Sequence, residues 1–171
     1  MGSVNSVSAP RPERPAGGAP AVDGTPLARL FAIAYRSLID GLHERLAARG
    51  WRDVRPNYGF VLLAARGSGI QASEIAALMG ISKQAASKLV ESMELAGYLR
   101  RDPHADDLRA KVVTLTPLGD ELLSAVEEIY TELEDEWVAI LDRDRVDALR
   151  STLTTVLRAS HGGRLPPIRP V

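Results

Sequence analysis

Residues 70–116 read IQASEIAALMGISKQAASKLVESMELAGYLRRDPHADDLRAKVVTLT, and this stretch decides the fold. Apolar residues recur at helical spacing over 72–79 and again after residue 82, which predicts two short helices. The turn between them is predicted at 80–82, with Ser82 as the N-cap of the second helix. Gly97 is expected to end that helix, because glycine tolerates the left-handed conformation that follows many helices.

A charged hairpin is predicted to follow the second helix. Two short extended segments, 98–102 and 111–115, flank a polar loop. Arginine and lysine in such a hairpin neutralise phosphates or enter a minor groove. The cations of this hairpin are Arg100, Arg101, Arg109 and Lys111. The whole stretch predicts a winged helix-turn-helix that reads DNA, in a chain that is mainly α with a small β wing.

The second helix distributes its side chains as insertion into the major groove requires. Its first turns carry small polar and cationic residues, and its other face is apolar. Glutamine can pair with adenine, serine with several bases, and lysine with guanine or phosphate. The candidate groove contacts are Lys83, Gln84, Ser87 and Lys88. Arg101 and Lys111 are the candidate phosphate contacts of the hairpin, together with Arg100.

Composition disfavours several other classes of protein. The chain has no cysteine, so disulfides, thiol redox sensing and thiolate metal sites are excluded. Its three histidines, His43, His104 and His161, are far apart, so no metal site is expected, and no other cofactor either. We find no glycine-rich phosphate loop, zinc-binding pattern or nucleophile elbow, and therefore expect no enzymatic activity.

The ends of the chain differ in composition from its centre. Residues 1–25 are rich in Pro, Gly, Ala, Ser and Val and are predicted to be a disordered tail. Residues 161–171 contain three prolines and two glycines and are predicted to be a loose tail. No apolar run is long enough for a bilayer, and no secretory signal is recognisable. We expect a cytoplasmic protein without a membrane partner, associated with the nucleoid when bound to DNA.

The net charge of −1 conceals a strong asymmetry along the chain. Residues 27–56 hold six arginines against three acids, whereas residues 120–160 hold eleven acids against four arginines. A DNA reader needs its cations on one face rather than a basic composition overall. The acidic segment is also explained simply as a solvated helix face.

Two helical regions lie outside the predicted DNA-binding domain at 56–116. They are a first helix over 26–50 and a long helix with a last helix over 117–160. Each opens with a threonine cap followed by proline, at Thr25-Pro26 and Thr116-Pro117. Their apolar stripes favour dimerisation helices of a homodimer. Such a dimer would place two copies of the second helix of the helix-turn-helix, called the reading helix below, about 34 Å apart on a palindromic site. The alternative is a monomeric helical bundle packed on the wing domain.

The wing and the end of the second helix carry two further motifs. Residues 107–119 fit Asp-x-Arg, five residues, then Leu-Thr-x-x-Gly, and residues 97–101 read Gly-Tyr-Leu-Arg-Arg. Both motifs resemble those of the multiple-antibiotic-resistance regulator (MarR) family of bacterial winged-helix proteins. The resemblance extends over about residues 26–160, which is nearly all of the predicted structured chain.

This resemblance implies a triangular homodimer with two DNA-binding lobes. Arg109 would lie at the wing tip and enter the minor groove, whose narrow form has an enhanced negative potential. Asp107 would orient Arg109 through a charge-assisted hydrogen bond. The alternative is that Asp107 and Arg109 form a solvated surface ion pair of little energetic value.

The chain departs from the family pattern at four positions. Lys88 stands where an arginine is common, and Gln71 where a serine or threonine cap is usual. Met93 replaces a common leucine, and Asp106 adds an acid to the wing. Because lysine lacks the planar fork of arginine, a bidentate guanine contact is less favoured at position 88. These departures leave the base preference open.

The resemblance also implies a small effector, often an aromatic or lipophilic anion, between the dimer helices and the DNA-binding lobe. Such a ligand would act by disfavouring the DNA-competent spacing of the two reading helices. The candidate lining residues are Tyr35, Arg36, His43, Trp51, Arg55 and Tyr58. Each of them is also explained as an ordinary core or surface residue.

The predicted function is a sequence-specific transcriptional regulator, most simply a ligand-responsive repressor that binds double-stranded DNA as a homodimer. An activator on the same fold is an alternative, since the sign of regulation depends on where the operator lies. A winged helix that binds a protein instead of DNA is another alternative. The polar start of the second helix argues against it, because a protein-binding face would be more apolar.

Overall fold

The structure, a computed structural model, describes residues 24–103 and 111–166. It contains the helices α1 (Leu27–Ala48), α2 (Tyr58–Ala65), α3 (Ala72–Met79), α4 (Lys83–Leu95), α5 (Pro117–Leu141) and α6 (Arg143–Ser160). The strands β1 (Leu99–Pro103) and β2 (Lys111–Leu115) form an antiparallel hairpin. This mainly α architecture with a small β wing confirms the predicted fold class.

Local capping signals place the ends of the DNA-binding helices. The Ser82 hydroxyl accepts a hydrogen bond from the Ala85 N–H at 3.1 Å, so the predicted cap of α4 is confirmed. Gly97 has φ +81°, and the Tyr98 N–H donates to the Met93 carbonyl at 2.9 Å, which closes α4 in a Schellman turn. These bonds fix where α4 starts and where the chain turns back into β1.

Two helices, α1 and α3, begin without a serine or threonine cap, and at α1 this differs from the sequence-based expectation. Thr25 does not cap α1: the helix begins at Leu27, and Pro26 is its N-cap in an extended conformation without a side-chain cap bond. The carbonyl of Pro26 instead accepts from the N–H groups of the first turn. At α3, the Glu74 carboxylate accepts from the Gln71 N–H at 2.8 Å, which compensates for the absence of a serine or threonine cap.

The core lies between the helices of the winged helix and the first half of α5. Its most deeply buried side chains are Leu46, Leu62, Ile75, Met93, Leu122 and Ile129. The hairpin is attached to this core through Val113, whose backbone exchanges hydrogen bonds with Ile70 at 2.8 and 3.0 Å. The wing therefore stands on the same core that carries α4.

Opposite charges on α1 and α5 neutralise each other. Arg45 pairs with Glu132 and Glu136, and Arg49 pairs with Glu128 and Glu132. The acids of α5 are thus more than a solvated helix face, because they meet the arginines at the end of α1. Part of the charge asymmetry of the sequence therefore links two long helices.

The terminal helices leave apolar side chains uncovered within one chain. In the first half of α1, Leu27 is 69% exposed and Phe31 is 47% exposed. In α6, Val156 is 58% exposed. Helices α1 and α6 each pack against α5, and the principal helix contacts of the described residues do not include α1 against α6.

Several predicted features lie outside the described residues. They are Asp106, Asp107 and Arg109 of the wing loop, His104, residues 1–23 of the predicted tail 1–25, and residues 167–171 of the predicted tail 161–171. In the part of the chain that the structure describes, no helix combines the length and apolar character needed to cross a membrane.

Candidate nucleic-acid interface

The exposed face of α4 carries all four candidate groove contacts. Lys83, Gln84, Ser87 and Lys88 are exposed, whereas the opposite face of the helix is buried. The buried face consists of Ala86, Leu89, Val90 and Met93. A periodicity of 3.6 residues therefore separates a polar, cationic surface from a core-facing surface on one helix.

The charges on the first two turns of this face favour the approach of a polyanion such as DNA. Lys83 and Lys88 have no carboxylate within ion-pair distance among the described residues. Glu91 is the next exposed residue along the same face, so the cationic part ends about one turn after Ser87. The first two turns of α4 are thus free to approach a polyanion, and the later turns are not.

Three aromatic side chains support α4 from behind. The Tyr58 and Ser92 hydroxyls are 3.3 Å apart, and the ring of Tyr58 meets that of Tyr98 edge-on at 6.0 Å. The ring of Trp51 lies 6.2 Å from that of Tyr98. Burial, together with the nearby Tyr58, raises the pKa of Tyr98. Trp51 and Tyr58 therefore belong to the packing behind the reading helix. This agrees with the interpretation of both as ordinary core residues, the alternative to lining an effector pocket.

A cavity of about 410 Å³ lies between the winged helix and the long helices. Of the six candidate effector residues, Tyr35, His43 and Arg55 line it. Arg36 lies outside it, along a separate groove between α1 and α5. The structure thus brings together three of the six predicted residues at one site, and Trp51, Tyr58 and Arg36 are elsewhere.

Helices α2 and α5 supply most of the remaining cavity wall. Their lining residues are Gly59, Phe60, Leu63, Leu123, Val126, Glu127 and Tyr130. The four from α5 occupy positions i, i+3, i+4 and i+7, which form one helix face. The sequence analysis missed these α5 residues. The pattern that could have indicated them is a polar pair, Glu127 and Tyr130, beside the apolar stripe of α5.

The cavity is an apolar space with a few polar groups. The Nε2 atom of His43 is buried without a hydrogen-bond partner among the described residues. Burial raises the pKa of Tyr130, with a smaller contribution from Tyr35, so its hydroxyl stays protonated and can donate. Glu127 is paired with Arg66 at 2.7 Å. An apolar body with one or two hydrogen-bonding groups would match this lining.

The two arginines at the base of the wing are engaged within the protein. Arg101 pairs with Glu94 of α4 at 3.3 Å, and Arg100 pairs with Asp102 at 2.9 Å. Lys111 begins β2 opposite Pro103. In the described ranges, no group of three or more His, Asp or Glu side chains is placed to hold a metal ion.

Residues 54–110 match the sequence model of the MarR family. The resemblance to the MarR family is confirmed. The matching stretch runs from the loop before α2, through α3 and α4, into the wing, so it comprises the elements that carry the candidate MarR-type DNA interface.

One curated relative is described as a putative transcriptional regulatory protein for the hcr operon of Thauera aromatica. It is 28% identical over 101 residues, which are 59% of this chain and 58% of the relative. The chain therefore spans little more than half of the length of that relative.

Solved MarR-family structures have the same fold. Apo MarR from E. coli is 24% identical with a TM-score of 0.63, and the alignment covers 78% of this chain and 98% of MarR. An F27L mutant of S. aureus MepR bound to an oligodeoxyribonucleotide is 22% identical with a TM-score of 0.55, covering 80% and 99%. The likeness extends beyond the winged helix to the terminal helices.

Proposed function

We propose that this chain is a sequence-specific DNA-binding transcriptional regulator that acts as a homodimer on a palindromic operator. The observation that carries the proposal is the exposed face of α4, where Lys83, Gln84, Ser87 and Lys88 stand over a buried apolar face. The MarR-type winged helix and the DNA-bound form of MepR support it.

The uncovered apolar side chains of α1 and α6 support the homodimer. Burying a large apolar side chain is worth about 1.5–3 kcal/mol, and several of these side chains have no cover within the described part of one chain. A monomeric bundle would pack α1 against α6, and the principal helix contacts of the described residues do not include this pair. A second copy of the chain would cover the apolar faces of α1 and α6, and the dimer would have two DNA-binding lobes.

The function is tested by selecting genomic DNA fragments with the purified protein and measuring affinity at several salt concentrations. We expect a palindrome whose half-sites are about 10 base pairs apart, with binding that weakens steeply as salt rises. No enriched sequence and no salt dependence would contradict DNA reading and favour the winged helix as a protein-binding module.

We propose that the regulator is a repressor that a small ligand releases. The cavity lies between α2, which packs behind α4, and α5, so a ligand there could change the position of the reading helix. An operator that overlaps the promoter, with raised transcription in a deletion strain, is the expected result. An operator upstream of the promoter, with lowered transcription in that strain, would identify an activator instead.

Replacing Arg109 with alanine should weaken operator binding about 10- to 100-fold, since one well-placed arginine contact is worth about 1–3 kcal/mol. The resemblance implies a wing-tip position for Arg109, and the loss of a contact made only with DNA should leave the thermal unfolding curve unchanged. Gel-shift titration measures the affinity. Unchanged affinity would contradict a minor-groove role for Arg109.

The cavity should bind a lipophilic aromatic anion such as 1-anilinonaphthalene-8-sulfonate, with increased fluorescence. Gly59 lines the cavity, and a Cβ atom there meets its nearest neighbour, Val126, only at 4.0 Å. Gly59→Leu should therefore fill the cavity and abolish most of the fluorescence, whereas Gly59→Ala should retain it. Equal fluorescence in the two variants would place the probe elsewhere on the protein.

A further inference from the structure

The two adjacent arginines of the wing lie on opposite faces of the hairpin. Arg101 is directly opposite Val113, which is 1% exposed, and Arg100 is directly opposite Thr114. Residues that face each other across an antiparallel pair share one side of the sheet. Arg101 therefore belongs to the inner face, toward the core, and Arg100 to the outer face. Their side chains are 33% and 61% exposed, respectively, in agreement with this register.

Arg101 is bound to the end of the reading helix. Its Nη2 atom lies 3.3 Å from Oε2 of Glu94, and the Glu94 side chain is only 24% exposed. Of the ion pairs among the described residues, this one is the most sheltered from solvent. Fully exposed pairs contribute little, whereas solvent ions screen a partly sheltered pair such as this one much less.

The position of Glu94 explains why it needs this partner. Glu94 lies in the last turn of α4, where the free carbonyl groups carry a partial negative charge that disfavours an acid. The last turn of α4 contains no basic residue of its own. The reversal at Gly97 brings β1 back beside this turn, and Arg101 then supplies the missing cation. The ion pair thus closes the α4–β1 connection.

The hairpin needs a lateral support of this kind. A two-stranded hairpin is marginally stable by itself. Backbone bonds between Ile70 and Val113 support β2, and backbone bonds from Tyr98 to Met93 and from Thr116 to Tyr98 hold only the base of the hairpin. On the β1 side, Arg101 occupies the third of the five residue pairs and connects directly to α4. This contact therefore links the middle of β1 to α4, beyond the backbone bond from Tyr98 to Met93, and helps to set the direction in which the wing leaves the protein.

We infer that Glu94 and Arg101 are positioning residues that set the wing relative to the reading helix, so that both reach their grooves at once. This inference rests on the DNA-binding function proposed above. It revises the sequence-based assignment of Arg101 as a phosphate contact.

Charge reversal separates a positioning pair from a phosphate contact. Operator affinity is measured by titration at several salt concentrations for Glu94→Gln, Arg101→Ala and the double variant Glu94→Arg/Arg101→Glu. For a positioning pair we expect each single variant to bind roughly tenfold more weakly with an unchanged salt slope. The double variant should regain most of the affinity, because the reversed pair restores the link.

Two further measurements keep the test specific to the wing. Hydroxyl-radical footprints of the single variants should lose protection in the flanking minor groove and retain the centre of the site. Arg100→Ala is the matched control: its effect should add to that of Glu94→Gln, whereas the effect of Arg101→Ala should not. Thermal unfolding checks that each variant is folded, and Arg101→Gln replaces Arg101→Ala if the latter is not.

The opposite outcomes would overturn the inference. If Arg101 bound phosphate, Glu94→Gln would leave affinity unchanged or raise it, and Arg101→Ala would reduce the salt slope by about 0.9 for each lost contact. The double variant would then stay weak, because a glutamate at position 101 repels phosphate. If the wild-type protein bound no DNA, the proposed function itself would fail, and this would be visible before any variant was compared.

Discussion

Replacing Gly119 with alanine is expected to lower the free energy of unfolding by about 4 kcal/mol or more, enough to unfold a marginal domain. A Cβ atom at Gly119 would stand 2.0 Å from the carbonyl oxygen of Tyr98. That oxygen also accepts from the Thr116 N–H at 3.1 Å, and the Thr116 hydroxyl donates to the Gly97 carbonyl at 2.6 Å. Because both sides of the contact are held by hydrogen bonds, the backbone has no easy way to relieve the clash.

Gly59→Ala is the control for this prediction. Gly59 lies in the first turn of α2, just as Gly119 lies in that of α5, and a Cβ atom there meets only Val126, at 4.0 Å. Alanine is favoured over glycine inside a helix by about 1 kcal/mol, so this variant should be as stable as wild type or more stable. Chemical denaturation followed by circular dichroism measures both variants. Wild-type stability of Gly119→Ala would show that α5 does not approach Tyr98 this closely.

Placing a charge on the uncovered face of α1 should convert the dimer into monomers and weaken operator binding by about 100-fold or more. Phe31 is 47% exposed in one chain, and Phe31→Glu would put a carboxylate where a second copy is expected to pack. Two linked DNA-binding lobes bind the operator about 10²–10⁴ times more tightly than one lobe, and a monomer loses that gain in affinity. Light scattering gives the mass in solution, and gel-shift titration gives the affinity.

Arg29→Glu provides the matched control for the dimer prediction. Arg29 is exposed on the same helix, and its helical position is on the side opposite Phe31. This variant changes the charge by more than Phe31→Glu and should nevertheless remain a dimer that binds the operator. A dimer that persisted in Phe31→Glu would mean that α1 does not form the interface.

The winged helix could be predicted closely from the sequence because its signals act over short distances. The side chains of Ser82 and Thr116 each accept a hydrogen bond from the N–H group three residues later. Gly97 adopts a positive φ that other residues rarely tolerate. The exposed and buried faces of α4 follow from helical periodicity alone. The Pro26 start of α1 was the exception, because a helix can begin without a side-chain cap.

The lining of the cavity could be predicted only in part. Tyr35 and His43 were found because they lie on α1 near its contact with the winged helix. Tyr58 has the same chemistry but faces Ser92 on the other side of α2. Glu127 and Tyr130 were missed because they come from α5, far along the chain. A local pattern shows that a helix has a face, and does not show which other helix will cover it.

By itself the sequence determined the limits of most helices, the polar face of α4 and the MarR-type wing motif. Only the tertiary structure decided which charged side chains lack an ion-pair partner among the described residues and which form ion pairs within the protein. Lys88 remains without a carboxylate partner among the described residues, whereas Arg101 meets Glu94 and Arg49 meets two acids of α5. The reason is physical: capping and periodicity act within a few residues, whereas ion pairs depend on how separate elements pack against each other.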